Sequence, residues 1–126
     1  MESADVVAEL WRRIEARDWD GVGELLAEDF VIEWPHSRER IRGRHNFVEL
    51  NRNYPEGWTI DVLRIVGDGK QAVSEIRVPH GEMGVHYAAS FFEVEAGQVR
   101  RAREYWVEEG HQQEAPSNRS RWVEPL

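Results

Sequence analysis

Glu104 is the side chain best placed in this sequence to move a proton. It stands in Arg103-Glu104-Tyr105-Trp106, inside a run from Gln98 to Glu109 that reads as a β-strand. Side chains alternate on a strand, so Gln98, Arg100, Ala102, Glu104 and Trp106 should share one face, and Val99, Arg101, Arg103, Tyr105 and Val107 the other. Two readings stand for Glu104. Beside Trp106 in an apolar pocket, desolvation would raise its pKa and let it exchange protons near neutral pH. Paired with an arginine across a sheet, it would be a structural ion only. A similar choice arises at Glu75 and Arg77, which share a strand face with Val73. The pattern favours a cross-strand ion pair; the alternative is that Arg77 binds a ligand carboxylate or carbonyl.

Histidines are the other candidates. His80, Glu82 and His86 are close in sequence, but a glycine-containing hairpin separates them. Their spacing matches no helical His-Glu-x-x-His site, so no metal is expected. His86 and its neighbour Tyr87 are candidate hydrogen-bond donors to a ligand, with His86 also a candidate catalytic partner of Glu104. His36 and His45 flank a basic loop and are expected in solvent. Trp34 ends an apolar strand just before Pro35, and the loop beyond is too polar to be core. Trp34 is therefore read as pocket wall, to which Tyr54, Trp58, Phe92 and Trp106 could add.

Composition limits the partners. The chain has 24 acidic and 16 basic side chains, a net charge of −8. That balance argues against nucleic acid, which needs a cationic surface. No apolar run approaches the roughly 20 residues of a membrane span, and Met1-Glu2-Ser3-Ala4-Asp5 lacks the basic start of a signal peptide. With no cysteine, thiol catalysis, disulfides and thiolate metal sites are excluded. A cytoplasmic location is expected. Six tryptophans in 126 residues suit a core, a pocket wall or an interface.

The elements that must position these residues follow from periodicity. Val6, Val7, Leu10, Trp11 and Ile14 recur at helical spacing, with Ser3 or Asp5 able to cap, and the helix should run to about Arg17. Asp18 or Asp20 can cap a second helix with Val22, Leu25 and Leu26 on its apolar side. Phe30 to Trp34 is a strand, and the polar stretch from Trp34 to Gly43 reads as a loop. A third helix from about Arg44 to Asn53 carries Phe47, Val48 and Leu50, and Pro55 and Gly57 end it. From Trp58 the period changes to that of strands: Trp58–Val66, Gln71–Pro79, Val85–Glu95 and Gln98–Glu109, with glycine-containing turns between. Gly67-Asp68-Gly69 is read as the first of those turns. The expectation is one α+β domain over residues 1–126. It is a cone-shaped curved antiparallel sheet with three helices of the N-terminal half packed on its concave face. The tail beyond Gly110 is expected to lie on the surface.

The run Arg17-Asp18-Trp19-Asp20-Gly21-Val22-Gly23-Glu24-Leu25-Leu26-Ala27-Glu28-Asp29-Phe30, continuing to Trp34-Pro35, resembles the start of the nuclear transport factor 2-like superfamily. The loop Ser37-Arg38-Glu39-Arg40-Ile41-Arg42-Gly43 and the last strand's Arg103-Glu104-Tyr105-Trp106 are similar to those of its SnoaL-like polyketide cyclases. The resemblance extends from about Val6 to Glu109. It implies a cone with one deep pocket that takes a small hydrophobic molecule. It is specific for fold and weak for activity, since one fold hosts many functions. Ketosteroid isomerases share the fold, but their tyrosine, general-base aspartate and oxyanion-hole aspartate fall at Leu10, Trp34 and near Ser90. The Asp-Arg-Asp set of limonene epoxide hydrolases is not kept either, since no aspartate follows Asp68. The cyclases' last-strand acid falls at Glu104, and their partner histidine near Ser90, with His86 the closest histidine. Scytalone dehydratases use histidines with an aspartate, for which His86 and Glu104 are the nearest counterparts. The function this implies is a cofactor-independent cyclase or isomerase acting by proton transfer on a hydrophobic carbonyl compound. The alternative is a non-catalytic ligand-binding or dimerisation module. A homodimer is expected through the outer face of the last strands, bearing Val99, Tyr105 and Val107 with Arg101 and Arg103, extended by Trp122.

Overall fold

The computed structural model describes residues 1–110 and 119–126. Three helices, α1 (Ser3–Glu15), α2 (Trp19–Glu24) and α3 (Arg44–Arg52), pack against one curved sheet. The strands are β1 (Leu26–Trp34), β2 (Glu39–Arg42), β3 (Asp61–Asp68), β4 (Gln71–His80), β5 (Gly84–Glu95) and β6 (Gln98–Glu108). Their order across the sheet is β2-β1-β6-β5-β4-β3. The expected meander is there: β3, β4, β5 and β6 pair antiparallel in sequence order. The α+β class holds, but the sheet is mixed rather than wholly antiparallel, because β1 runs parallel to β6. The chain passes through α3 and four strands between the two, so no tight turn forces them antiparallel.

α1 buries Val6, Val7, Leu10, Trp11 and Ile14, the stripe that its periodicity marks, against β3, β4, β5 and β6. Its start differs from expectation. Neither Ser3 nor Asp5 caps it; Glu2 holds the cap position without a side-chain bond. Ser3 is instead buried and donates its hydroxyl to the Gln71 carbonyl on β4, at 2.9 Å. Asp18 caps α2 by accepting from the Gly21 N–H at 3.0 Å. Leu26, expected on that helix, is the first residue of β1 and is fully buried.

Two further departures matter for the site. A short strand, β2, forms in the segment expected to be loop, pairing Ile41 opposite Ile32. Alternation along β6 is broken: Val94 faces Val99 and Glu93 faces Arg101, leaving Arg100 as an extra residue. The bulge turns Val99 inward, where its exposure is 0%, so it is core and not part of an outer face as expected. Beyond Arg100 the expected alternation resumes, with Ala102 and Glu104 buried and Arg101, Arg103 and Tyr105 outward. Gly67 also lies inside β3 rather than in the turn. Of the tail, residues 111–118 lie outside the described residues; Trp122 is exposed. Among the described residues no helix is long and apolar enough to cross a membrane.

Candidate functional site

A cavity of about 400 Å³ opens between the helices and the sheet. α1 contributes Trp11 and Ile14, the end of β1 contributes Trp34, and the turn after it His36 and Ser37. Leu50 of α3 and Tyr54 and Trp58 of the following loop close a second side. The sheet supplies Ile76, Val78 and His80 from β4, His86 from β5 and Trp106 from β6. The lining is mostly apolar, with a few polar groups at fixed positions, which is the character of a small-molecule site.

Glu104 stands directly behind this wall. Cross-strand pairing places Ser74, Ser90 and Glu104 in one row over β4, β5 and β6, all three buried. Glu104 is 4% exposed and is held by three donors. Its Oε1 accepts from both indoles, Trp106 Nε1 at 2.7 Å and Trp34 Nε1 at 3.0 Å. Its Oε2 accepts from the Ser90 hydroxyl at 2.6 Å. At the far end of the row, Trp11 Nε1 donates to Ser74 Oγ at 3.0 Å. Among the described residues no lysine or arginine pairs with Glu104; Arg103, next to it, points outward and binds Glu33. Burial pushes the Glu104 carboxyl above the ordinary range, while the Ser90, Trp34 and Trp106 bonds and nearby His36 oppose that rise. The carboxyl is therefore a desolvated acid with an ordered set of donors, not a member of an ion pair.

Of the residues singled out in the sequence, Trp34, Tyr54, Trp58, His86 and Trp106 line the cavity. Three do not. Arg77 lies on the outer sheet face, 3.3 Å from Asp61, and its neighbour Glu75 pairs with Arg64, so the ion-pair reading holds for both. Tyr87 faces outward as well, donating to Glu109 at 2.8 Å. Phe92 is core, edge-on to Trp11 at 6.3 Å. The register places His86 opposite Glu108 and Ser90 opposite Glu104, so His86 and Glu104 share a face but are four positions apart. At about 3.3 Å per residue that is about 13 Å along the strands, too far for a direct hydrogen bond. His80, Glu82 and His86 do not assemble as ligands. The ring nitrogens of His80 are engaged by the Pro55 carbonyl (3.1 Å) and the Glu82 N–H (3.2 Å).

Three further positions at the cavity or behind its wall are hard to single out from sequence. Ser90 was visible only as a place where related acids or histidines would fall, and its bond to Glu104 depends on register. Trp11 reads as one more apolar residue of α1. His36 lines the cavity although exposed; its signal was its place two residues after Trp34. Trp58 adds an unusual detail: its Nε1 is buried and, among the described residues, has no acceptor.

A sequence profile described as the SnoaL-like domain matches residues 7–102. No curated protein matches the chain. Among solved structures, the "putative ketosteroid isomerase" from Kribbella flavida DSM 17836 is 30% identical, with a TM-score of 0.88. The alignment covers 98% of this chain and 89% of that one. An NTF-2 like protein of unknown function from Burkholderia xenovorans LB400 is 28% identical, with a TM-score of 0.77, over 97% of this chain and 93% of its own. An M. tuberculosis epoxide hydrolase described as LEH-like is 24% identical, with a TM-score of 0.71, over 83% and 82% of the two chains. That last likeness speaks for the fold alone.

Proposed function

The chain belongs to the SnoaL-like domain family, and from that premise we propose that residues 1–126 form a single small-molecule pocket domain, a cofactor-independent isomerase or cyclase that moves protons next to a carbonyl. The observation that carries this reading is Glu104, a buried acid with three hydrogen-bond donors and no cationic partner among the described residues. Burial raises this carboxyl above its ordinary range, which favours its taking and returning a proton. Ionised Glu104 would remove a proton from carbon beside the carbonyl, with the electron pair moving onto the carbonyl oxygen. The acid so formed would return the proton at the product carbon. His86, lining the same cavity about 13 Å along the strands, would hydrogen-bond the far end of the molecule rather than relay protons to Glu104. Trp34, Tyr54, Trp58 and Trp106 would form the apolar wall.

One observation favours a second reading, a non-catalytic binding module. The indoles of Trp34 and Trp106 line the cavity while the carboxyl that anchors them does not. Glu104 would then hold two rings in place and do no chemistry. Glu104→Gln separates the two. Its amide oxygen can still accept from both indoles and its NH2 can donate to Ser90, so the fold and pocket should persist. On a carbonyl substrate identified by screening, turnover should fall on the order of 10²–10⁴-fold if Glu104 transfers the proton. Full turnover in the variant would reject the catalytic assignment.

The chain also has an outer sheet face suited to a second copy. Phe91 and Tyr105 meet edge-on at 6.3 Å there, and Val73 and Val107 are exposed beside them. Self-association through that face is the proposed quaternary arrangement, with Val99 excluded because it is core.

A further inference from the structure

The chain has 16 lysines and arginines, yet among the described residues none lines the cavity. Arg101 and Arg103 of β6 point to the opposite face of the sheet, and Arg17, stacked on Trp58, is outside the lining and bound to Glu56 and Glu15. The titratable groups that do face the cavity are His36, Glu39, His80 and His86, with Tyr54. His80 has both ring nitrogens engaged by backbone groups, the Pro55 carbonyl and the Glu82 N–H.

Against that background stand two features that suit a cation. Five aromatic side chains from four separate segments, Trp11, Trp34, Tyr54, Trp58 and Trp106, line the cavity. Two of those indoles direct their N–H groups at one carboxylate oxygen of Glu104. An indole N–H can only donate, so both bonds are best satisfied by an ionised acceptor. A carboxylate at the positive edge of a ring adds negative potential to its π face, the surface that attracts organic cations. A buried carboxylate without an internal cation is also a counter-charge awaiting one.

We propose that the pocket selects a ligand bearing a cationic nitrogen, a tertiary or quaternary ammonium, on an apolar body. The inference rests on reading this cavity as the ligand site, and it adds the charge class of what enters. The ammonium would lie against the faces of Trp34 and Trp106, with Glu104 behind them as counter-ion.

The test uses a matched pair of probes, phenyltrimethylammonium and its uncharged carbon isostere tert-butylbenzene. Each is titrated into the full-length protein at pH 8, where free histidine is neutral, with tryptophan fluorescence as the readout. The ammonium should bind about tenfold tighter or better, the scale of a desolvated cation–π contact with a nearby counter-charge. In Glu104→Gln, checked for folding by circular dichroism, that preference should shrink to within about threefold. If that variant does not fold, Trp34→Leu takes its place, and the ammonium should lose more affinity than tert-butylbenzene. Equal or tighter binding of tert-butylbenzene to the native protein would overturn the cation proposal and leave the apolar pocket standing. An unchanged preference in Glu104→Gln would overturn the role given to Glu104. Binding of neither probe would overturn the pocket reading and the cation proposal together.

Discussion

Ser90 and Glu104 sit directly opposite one another on β5 and β6, and the Ser90 hydroxyl donates to Glu104 at 2.6 Å in a fully buried setting. Trp34 donates to the same carboxyl from β1. By the resemblance to ketosteroid isomerases, Trp34 and the vicinity of Ser90 are the positions where aspartates would be expected. Here both positions carry hydrogen-bond donors to Glu104 of the last strand, so a residue-by-residue search for the isomerase set finds nothing.

Stability should report the state of that acid. Glu104 has an ordinary pKa of 4.5 when unfolded and a higher one when folded, raised first by burial. Between those two values the native state binds a proton that the unfolded chain has released. Stability from this group is therefore fully present below about 4.5 and is lost as pH rises through the folded pKa. Each pH unit of that window is worth about 1.4 kcal/mol. In urea titrations from pH 4 to 8, native protein should lose stability relative to Glu104→Gln as pH increases. Taking the difference between the two proteins removes the background of exposed carboxylates. A difference that stays flat with pH would mean that the donors fully offset burial.

The helices were legible because their signal is local. Val6, Val7, Leu10, Trp11 and Ile14 lie on one stripe, and all are buried. The meander was legible from its turns. The face of each strand was not, because both faces carry apolar residues: β5 has Ala88 and Phe92 inward and Phe91 outward. Arg77 and Tyr87 could thus be read as pocket residues when they lie outside it. β2 was missed because Ile41 is its one apolar residue among Glu39, Arg40 and Arg42. The bulge at Arg100 has no sequence mark at all, since Arg100 and Arg101 are the same residue type, and it moved Val99 from a surface into the core.

Gly67 should tolerate no side chain. A Cβ built there would lie 2.7 Å from Ser3 Oγ and 2.8 Å from the Ala4 backbone nitrogen. The serine can rotate, but the Ala4 backbone cannot yield without moving the first turn of α1. That turn is tied to β4 by the Ser3–Gln71 bond. Gly67→Ala should cost about 1–3 kcal/mol, the usual scale of overpacking. Gly69, with open space around its missing Cβ but a φ of 59°, should cost less on substitution by Asn, which accepts that conformation. Thermal unfolding of the two variants checks the order; Gly67→Ala matching native stability would contradict the close approach.

Quaternary state follows from the outer sheet face. Val107 is 62% exposed and Phe91 48% exposed, and Tyr105 packs edge-on against Phe91 between them. The salt bridges of Glu33 with Arg40 and Arg103 border it. Light scattering at micromolar concentration should give about twice the 14.8 kDa chain mass. Phe91→Glu should return it to the mass of one chain without loss of secondary structure, because the side chain is on the surface. A native mass near that of a single chain would remove the dimer proposal and with it any role for this face in self-association.

Arg17 ties the end of α1 to the loop that supplies Trp58 to the pocket. Its guanidinium lies 3.3 Å from the centroid of the Trp58 ring. It reaches both carboxylate oxygens of Glu56, at 2.9 and 3.1 Å, and the Trp58 carbonyl at 2.7 Å. Its backbone is left-handed, with φ 58°, so glycine would be the relaxed choice for the chain alone. That arginine stands there instead points to the side-chain contacts as the compensation. Glu56 is exposed and contributes little by itself. Stacking on the indole and the bond to a carbonyl carry more, together about 1–3 kcal/mol. Arg17→Ala loses these contacts and keeps the backbone strain, so it should be the least stable variant. Arg17→Gly loses the contacts but relieves the strain and should fall between Ala and native. Arg17→Lys keeps the charge but neither the planar stack nor the fork, and it should resemble Ala more than native. At about 2–6 °C per kcal/mol for a chain of this size, Arg17→Ala should melt roughly 5–10 °C lower. Melting curves for the three variants give the order directly. If Arg17→Lys melts with native protein, charge alone holds the loop and the stacked guanidinium has no part in placing Trp58.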